Sequence, residues 1–366
     1  MKQEKIREIF SKFDVKDTLV DIAPYGDGHI NDTYRVTCEN SKYTLQQLNH
    51  KVFKEPEHVM HNIRMVTEHL ADKIRAQGGD PMRETLNIIR TKDGNTHYFD
   101  GEQGFYRLFY FVDGAKSYPK VETPVHFYNA ARAFGRFQKM LDDFPAGELY
   151  ETIPNFHNTV SRFYDFLKAV GNDVAGRRAF IEKEIEFVLA RRNVCSVVLD
   201  GIEDGSIPMR VTHNDTKYDN ILIDDTTGEA LCIIDLDTVM PGSMLYDYGD
   251  SLRFGTNNGL EDDKDRDNVF CRLDLFEEFT RGYLEELGGK LTEREIELMP
   301  LSGQLITFEC GMRFLTDFLN GDVYFKVHRP NHNLDRARAQ FKLVESMEEQ
   351  YDEMMAIVNK YKEKFC

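Results

Sequence analysis

Apolar and polar positions change rhythm twice along this chain. After a short amphipathic helix expected over 4–13, the stretch 18–48 alternates apolar, β-branched and aromatic residues with polar ones in the runs 19–24, 32–37 and 42–48, broken by Tyr25-Gly-Asp-Gly28 and Glu39-Asn-Ser41. Period-two alternation interrupted by turn residues predicts a three-stranded antiparallel meander with a glycine turn at its first corner. Over 58–74 the repeat lengthens to three or four, with Val59, Ile63, Val66 and Leu70 on one face, and this predicts a helix. Two further strands are expected near 87–90 and 105–111, with Lys92-Asp-Gly-Asn95 as the turn between them.

Beyond Val112-Asp-Gly114 the period is helical: 124–141, 160–169, 176–200, 244–253, 274–287, 293–319 and 334–364 each predict a helix. Only the hairpin 220–234, turning at Asp224-Asp-Thr-Thr-Gly228, interrupts them. There is no internal repeat and no low-complexity linker. The pattern predicts an α+β, bilobal chain, with a small N-terminal lobe over 1–113 (antiparallel sheet plus helix) and a larger, mainly helical lobe over 114–366. At 366 residues a chain exceeds the size at which one core keeps growing, which also favours two lobes.

Composition narrows the function. Hydrophobic residues at 41 % suffice for real cores and exclude wholesale disorder. A formal charge of −17 excludes a nucleic-acid surface and a general attraction to anionic membrane. An anionic substrate such as ATP then requires locally concentrated positive charge, whereas a neutral second substrate meets no such barrier. The six cysteines are scattered without a CxxC pair, so neither a zinc site nor a disulfide framework is indicated, and a reducing cytoplasm fits best. The first residues lack a signal-peptide core and no apolar run spans a bilayer. Oligomeric state leaves no signature in the sequence.

The chemistry is concentrated in Val211-Thr-His-Asn-Asp-Thr-Lys-Tyr-Asp-Asn220 and in Ile233-Ile-Asp-Leu-Asp237. An aspartate, a lysine two residues on, an asparagine five residues on and a further aspartate closing an apolar strand form the parts list of a phosphoryl-transfer site. Asp215 is the candidate proton acceptor, Lys217 the cation for the transferring group, and Asn220 and Asp235 the candidate metal ligands. Asp237 is either a second ligand or the closer of a turn. Gly26 and Gly28 let backbone amides approach a phosphate, although by themselves they read as an ordinary hairpin turn. Glu309, Arg313 and Asp317 recur every four residues on one predicted helix, as either a solvated ion-pair ladder or a polar stripe facing a ligand.

With these motifs and Met240-Pro-Gly-Ser-Met-Leu-Tyr-Asp247 in view, the chain resembles the aminoglycoside phosphotransferase family, small-molecule kinases of protein-kinase-like fold. Pro24-Tyr-Gly-Asp-Gly-His-Ile-Asn31, Leu45-Gln-Gln47, Gly205-Ser-Ile-Pro208, Thr212-His-Asn-Asp-Thr-Lys217, Ile234-Asp-Leu-Asp-Thr238 and Glu309-Cys-Gly-Met-Arg-Phe-Leu315 are similar, in the same order, to the members that phosphorylate N-acetylhexosamines at the anomeric hydroxyl. The resemblance implies ATP and a small neutral amino sugar as substrates, with Mg2+ held by Asn220 and Asp235 and Asp215 as the base. It implies a nucleotide loop shaped by Gly26 and Gly28, an adenine hinge at Phe111, Val112 and Asp113, and sugar contacts from Arg313, Tyr324, His29 and Phe254. Asp247 corresponds to an aspartate that braces the catalytic loop. Where a protein-kinase-like lobe carries a phosphate-pairing lysine, this chain has Gln46 and Gln47, of which Gln47 is the candidate nucleotide contact. Other readings are a kinase for another small alcohol, of aminoglycoside, choline or homoserine type, and a silent nucleotide-binding pseudokinase.

Overall fold

The computed structural model describes residues 2–26, 31–102, 104–121 and 123–366. Its backbone divides into two compact units, the first made of Met1–Ser117, Met140–Pro154 and Asn220–Pro241, the second of Tyr118–Lys139, Asn155–Asp219 and Gly242–Cys366. The helical half of the sequence thus contributes two of its segments to the first unit.

The first unit opens with α1 (Lys2–Phe10) and the meander β1 (Leu19–Pro24), β2 (Asp32–Cys38) and β3 (Lys42–Leu48), where alternation predicts it. Next come α2 (Pro56–Ala76), the single turn α3 (Pro81–Glu84), β4 (Ile88–Ile89), β5 (Tyr98–Phe99) and β6 (Phe105–Tyr110). The strands form one antiparallel sheet in the order β1-β2-β3-β6-β4, with β5 on β6. Leu45 stands opposite Leu108, and Gln46 opposite Arg107. Because neighbours on a strand face opposite ways, Tyr43, Leu45, Tyr106 and Leu108 share one face, buried with Val36 and with Ile6, Ile9 and Phe10 of α1. Gln46 and Arg107 share the other face.

Helix α2 starts with Pro56 in its first turn, where the missing N–H has no partner to lose. It buries Val59, Ile63, Val66, Leu70 and Ile74. Its Asn62, fully buried, donates to the carbonyls of Tyr150 and Val239 at 2.7 and 2.8 Å and accepts from the Tyr150 amide at 2.9 Å. After β7 (Ala115–Lys116) the chain enters the second unit with α4 (Pro124–Met140), α5 (Thr159–Asn172), α6 (Glu182–Ala190), α7 (Val197–Glu203) and β8 (Arg210–Thr212). The hairpin β9 (Ile221–Asp224) and β10 (Ala230–Ile233) belongs to the first unit, β9 lying between β10 and β7. Following β11 (Met240–Gly242) come α8 (Met244–Gly255), α9 (Leu273–Leu287), α10 (Glu293–Glu297), α11 (Met299–Leu319), α12 (His332–Glu349) and α13 (Tyr351–Phe365).

Three predicted helices are broken. The expected helix 176–200 is interrupted at Ile181 (φ −133°) and again by a tight turn at Arg192–Val194. That over 293–319 divides at Leu298, because Thr292 and Glu295 form a capping box for a short first helix and Pro300 sits in the first turn of the second. The expected helix 334–364 bends at Gln350, whose side-chain amide donates to the carbonyls of Cys271 and Ser346, both at 3.1 Å. That tertiary contact has no local sequence signal.

The second unit is built around α11, buried on nearly every face. Phe308, Met312, Leu315 and Phe318 pack with Phe163 and Phe166 of α5 and with Leu334, Phe341 and Val344 of α12. On α8, Gly249 permits a close crossing: a Cβ there would fall 2.4 Å from the carbonyl oxygen of Ser302 on α11. Among the described residues no helix is long and apolar enough to cross a membrane. All six cysteines are free.

Candidate active site

The loop after β8 is held open by side chains of α8. Asp247 accepts the amides of His213 at 2.9 Å and Asn214 at 2.7 Å, and the Gln138 side chain donates to it at 2.6 Å. Asn214 adopts φ 64°, a left-handed conformation that asparagine tolerates better than most residues. One residue past Asp215, the Thr216 amide donates to Asp250 at 3.0 Å, its hydroxyl donates to the Asp247 carbonyl at 2.6 Å, and its carbonyl accepts from Ser251 at 3.0 Å. These contacts on both flanks fix the backbone of Asp215 in a non-helical loop. Asp247 is thus the brace that the resemblance implies, one carboxylate accepting two consecutive backbone amides.

Asp215 and Lys217 form an ion pair at 2.8 Å, their side chains 24 % and 37 % exposed. Burial pushes the Asp215 pKa up, but the charge and hydrogen bond of Lys217, with help from His213 and Arg253, outweigh it and hold the group below the usual carboxylate range. Lys217 is raised in turn, chiefly by Asp215. The sequence reading missed the next pair: Arg253 donates through Nε and Nη2 to Asp250 at 2.9 and 2.8 Å, both residues buried, and lies 3.4 Å from Glu261. Their spacing of three on a predicted helix was the available signal.

His157 links this loop to α11. Its Nδ1 lies 3.0 Å from the Glu309 carboxylate and its Nε2 3.3 Å from the Asn214 carbonyl, while Thr159 donates to the other Glu309 oxygen at 2.6 Å. Asp317 accepts the amides of Val323, Tyr324 and Phe325 at 2.8 to 3.0 Å and the Asn333 side chain at 2.8 Å. Glu309, Arg313 and Asp317 are therefore not an ion-pair ladder, because both carboxylates are buried and satisfied by other partners. The Arg313 guanidinium instead lies over the rings of Phe156 and Phe325, 5.7 and 5.6 Å from their centres. Arg162, also unforeseen, donates to the Phe156 carbonyl at 3.2 Å and feels the Arg313 charge. Tyr324 is 62 % exposed, its backbone fixed by Asp317. Phe254 is half-buried on the last turn of α8.

The remaining candidates lie in the first unit. Asp235 comes two residues after β10 with φ 60°, and the Ile234 amide donates to the Asn220 carbonyl at 2.9 Å, so the two candidate metal ligands flank the open end of one hairpin, Asn220 just before β9 and Asp235 just after β10. An asparagine oxygen and a carboxylate are hard donors that suit Mg2+, which is usually held by one or two carboxylates together with substrate phosphates and water. Asp237 turns inward: it forms a buried ion pair with Arg107 and accepts from Asn31 at 2.6 Å, so its carboxylate is committed to the sheet.

Strand alternation separates the two glutamines. Gln47 stands opposite Tyr106 and shares the α1 side of the sheet with Leu45, whereas Gln46 accepts from Arg107 Nε at 2.9 Å and donates to Thr33 at 3.1 Å. The strand residue on the Asp237 side is consequently Gln46 and not Gln47. The Phe111 amide is taken by the Lys42 carbonyl at 3.1 Å, Val112 is buried, and the Asp113 carboxylate pairs with Lys42 at 2.7 Å. Gly26 has φ 77°, which only glycine adopts readily. Gly28 and His29 lie outside the described residues.

A family model, the phosphotransferase enzyme family, matches residues 21–287. The chain belongs to this family. Solved structures with which this phosphotransferase shares its fold include a microcompartment-associated aminopropanol kinase, with a TM-score of 0.62 at 15 % identity over 96 % of this chain and 98 % of that one. A choline kinase from Cryptosporidium parvum Iowa II gives 0.59 at 14 % identity, over 98 % of this chain and 99 % of that one. A putative aminoglycoside phosphotransferase from Ralstonia eutropha JMP134 gives 0.57 at 13 % identity, over 100 % and 98 %. The fold is the α+β, protein-kinase-like one that the sequence predicts, and the chain is a small-molecule kinase of this family.

Proposed function

We propose that this phosphotransferase moves the γ-phosphoryl group of ATP to the anomeric hydroxyl of an N-acetylhexosamine, GlcNAc or GalNAc, giving the sugar 1-phosphate and ADP. The ordered motif set supports the regiochemistry. A likeness to a GDP complex of aminoglycoside 2'-phosphotransferase-IIIa, TM-score 0.54 at 12 % identity, supports a purine nucleotide as donor.

One observation carries the choice of a neutral acceptor. On the side of the second unit that His157 ties to the catalytic loop, Arg162 and Arg313 both lie against Phe156, Arg162 at its carbonyl and Arg313 over its ring and that of Phe325, and the Arg313 charge acts on Arg162. Burial and then the Arg313 charge lower the Arg162 pKa. Guanidinium groups serve hydroxyls and an acetamido carbonyl well, since both accept hydrogen bonds. A cationic acceptor would meet like charge there, while Glu309 and Asp317 are already engaged by His157, Thr159, Asn333 and backbone amides.

In the mechanism, Asp215 orients the C1 hydroxyl and takes its proton as the new O–P bond forms and the bridging P–O bond to ADP breaks. Its low pKa suits orientation more than forceful deprotonation, and a loose phosphoryl-transfer transition state demands little activation of the nucleophile. Lys217, now on Asp215, supplies donors to the transferring oxygens. Asn220 and Asp235 would hold Mg2+, which when bound offsets charge on the phosphates. Gly26 shapes the nucleotide loop, and the 111–113 segment holds adenine.

The aminopropanol and choline kinases named above favour one other reading, an amino-alcohol kinase. Incubation with Mg-ATP and a panel of GlcNAc, GalNAc, choline, ethanolamine and an aminoglycoside, with products read by phosphorus and proton NMR, separates them. A phosphate on the anomeric carbon supports the proposal, and a sugar 6-phosphate or phosphorylation of the cationic acceptors alone refutes it.

A further inference from the structure

In the first unit, the Arg107–Asp237 pair stands where a structural account is weakest. Both side chains are almost wholly buried, at 1 % and 4 % exposed. An ion pair removed from water is seldom more stable than apolar residues of the same volume, and the neighbours of Arg107 on β6, Tyr106 and Leu108, are apolar core residues. The pair is nonetheless built with care. Gln46, directly across on β3, accepts from Arg107 Nε at 2.9 Å and is itself held by Thr33 at 3.1 Å. Asn31 donates to the second Asp237 oxygen at 2.6 Å, and its own oxygen accepts from the Asn49 amide at 3.0 Å. Thr152 donates to the Asp237 carbonyl at 3.1 Å. Asp237 is thereby gripped at both carboxylate oxygens and at its backbone, two residues past Asp235.

Asp235 sits at φ 60°, in the left-handed region that aspartate visits more readily than most residues, and the residues around it set how its carboxylate is presented. We infer that Arg107 is a positioning residue for nucleotide-bound metal: through Asp237 it fixes the orientation in which Asp235 presents its carboxylate. On this view the cation that a kinase-like lobe carries on its third strand has been replaced there by Gln46, and the cation opposite it on β6 orients a metal ligand instead of binding phosphate directly. The inference rests on Asp235 as a metal ligand.

The test is Mn2+ binding in the presence of ADP, followed by electron paramagnetic resonance of free Mn2+, on four full-length proteins: wild type, Asp235→Asn, Arg107→Lys, and the double variant Arg107→Met with Asp237→Leu. The double variant leaves no unpaired buried charge, so it stays folded, which circular dichroism and its urea midpoint check. The expected result is a loss of Mn2+–ADP affinity of about tenfold or more in the double variant, as for other residues that orient metal ligands, with partial recovery in Arg107→Lys. A folded double variant that binds Mn2+–ADP as wild type does, while Asp235→Asn does not, overturns the positioning role alone. Wild-type binding by Asp235→Asn overturns the metal-ligand assignment beneath it.

Discussion

Replacing Asp247 by asparagine is the most direct perturbation of the catalytic loop, because one carboxylate meets three donors: the amides of His213 and Asn214 and the side chain of Gln138, at 2.9, 2.7 and 2.6 Å. Asp247 is 1 % exposed, so water cannot substitute for what is lost. Hydrogen bonds to a charged group contribute about 1.5–3 kcal/mol each, and a buried donor left unmet costs about 1–3 kcal/mol. Asparagine keeps one oxygen for one amide and turns an NH2 group toward the other, donor against donor, while Gln138 can rotate its own oxygen into place. The sum of one unmet amide and weaker bonds at the other positions is about 3–5 kcal/mol. Against a total stability of about 5–15 kcal/mol that is a severe loss. With a urea slope of about 3 kcal/mol/M the unfolding midpoint falls by about 1 M or more. Gln138→Met, which removes one donor and leaves both amides bonded, should cost only about 1–2 kcal/mol. Activity should follow the same order, since Asp215 comes next after Asn214. A midpoint and turnover number at the wild-type values in Asp247→Asn would show that the loop is not braced as described.

Three further outcomes are expected. Asp215→Asn should retain ATP and sugar binding by calorimetry while turnover falls by about 10²–10⁴-fold; near-normal turnover removes Asp215 from its role. In Lys217→Met the largest influences lowering the Asp215 pKa are gone while burial, which raises it, remains. The active, deprotonated form of Asp215 is present above its pKa and lost as pH falls through it, so the acid limb of the kcat/KM profile should move to higher pH; a limb that stays in place or moves lower contradicts the pairing as the cause. ATP titrated calorimetrically in EDTA should bind far more weakly than Mg-ATP, and equal affinity would mean that protein cations alone receive the phosphates.

The sequence was most legible where a local rule sufficed. Alternation places the meander and β6 within a residue or two, and the spacing around Asp215 picks out the loop that α8 braces. Reading failed where a distant partner decides. Gln350 bends a helix with no proline or glycine, through a hydrogen bond to Cys271. Gln46 and Gln47 are chemically equal in the sequence, and only the β3–β6 register tells which one faces Arg107. Arg107 itself left a trace, a lone charge in the run Phe105–Tyr110, but its meaning depends on Asp237 far along the chain. The four-residue spacing of Glu309, Arg313 and Asp317 correctly set them on one helical face, yet His157 and the amides of 323–325, which claim the two carboxylates, come from other elements.

The pairing of charges explains how a chain of net charge −17 can receive a nucleotide. Lys217 is paired with Asp215, Arg253 with Asp250 and Arg107 with Asp237, so each of these cations comes with its own aspartate. Such pairs are locally neutral. They orient side chains without creating a strongly positive surface that would attract any polyanion, and they avoid the desolvation cost of an isolated buried cation. Neutral pairs also give little net attraction to a triphosphate, and the proposed Mg2+ would supply the positive charge that such a ligand calls for. Arg162 and Arg313 follow a different rule, lying near each other, against aromatic rings. Burial and the Arg313 charge lower the Arg162 pKa while Glu309 and Asp165 raise it, so the two guanidinium groups are partly balanced by carboxylates, and their remaining donors are what favours the proposed amino sugar over an ammonium compound on this side of the second unit.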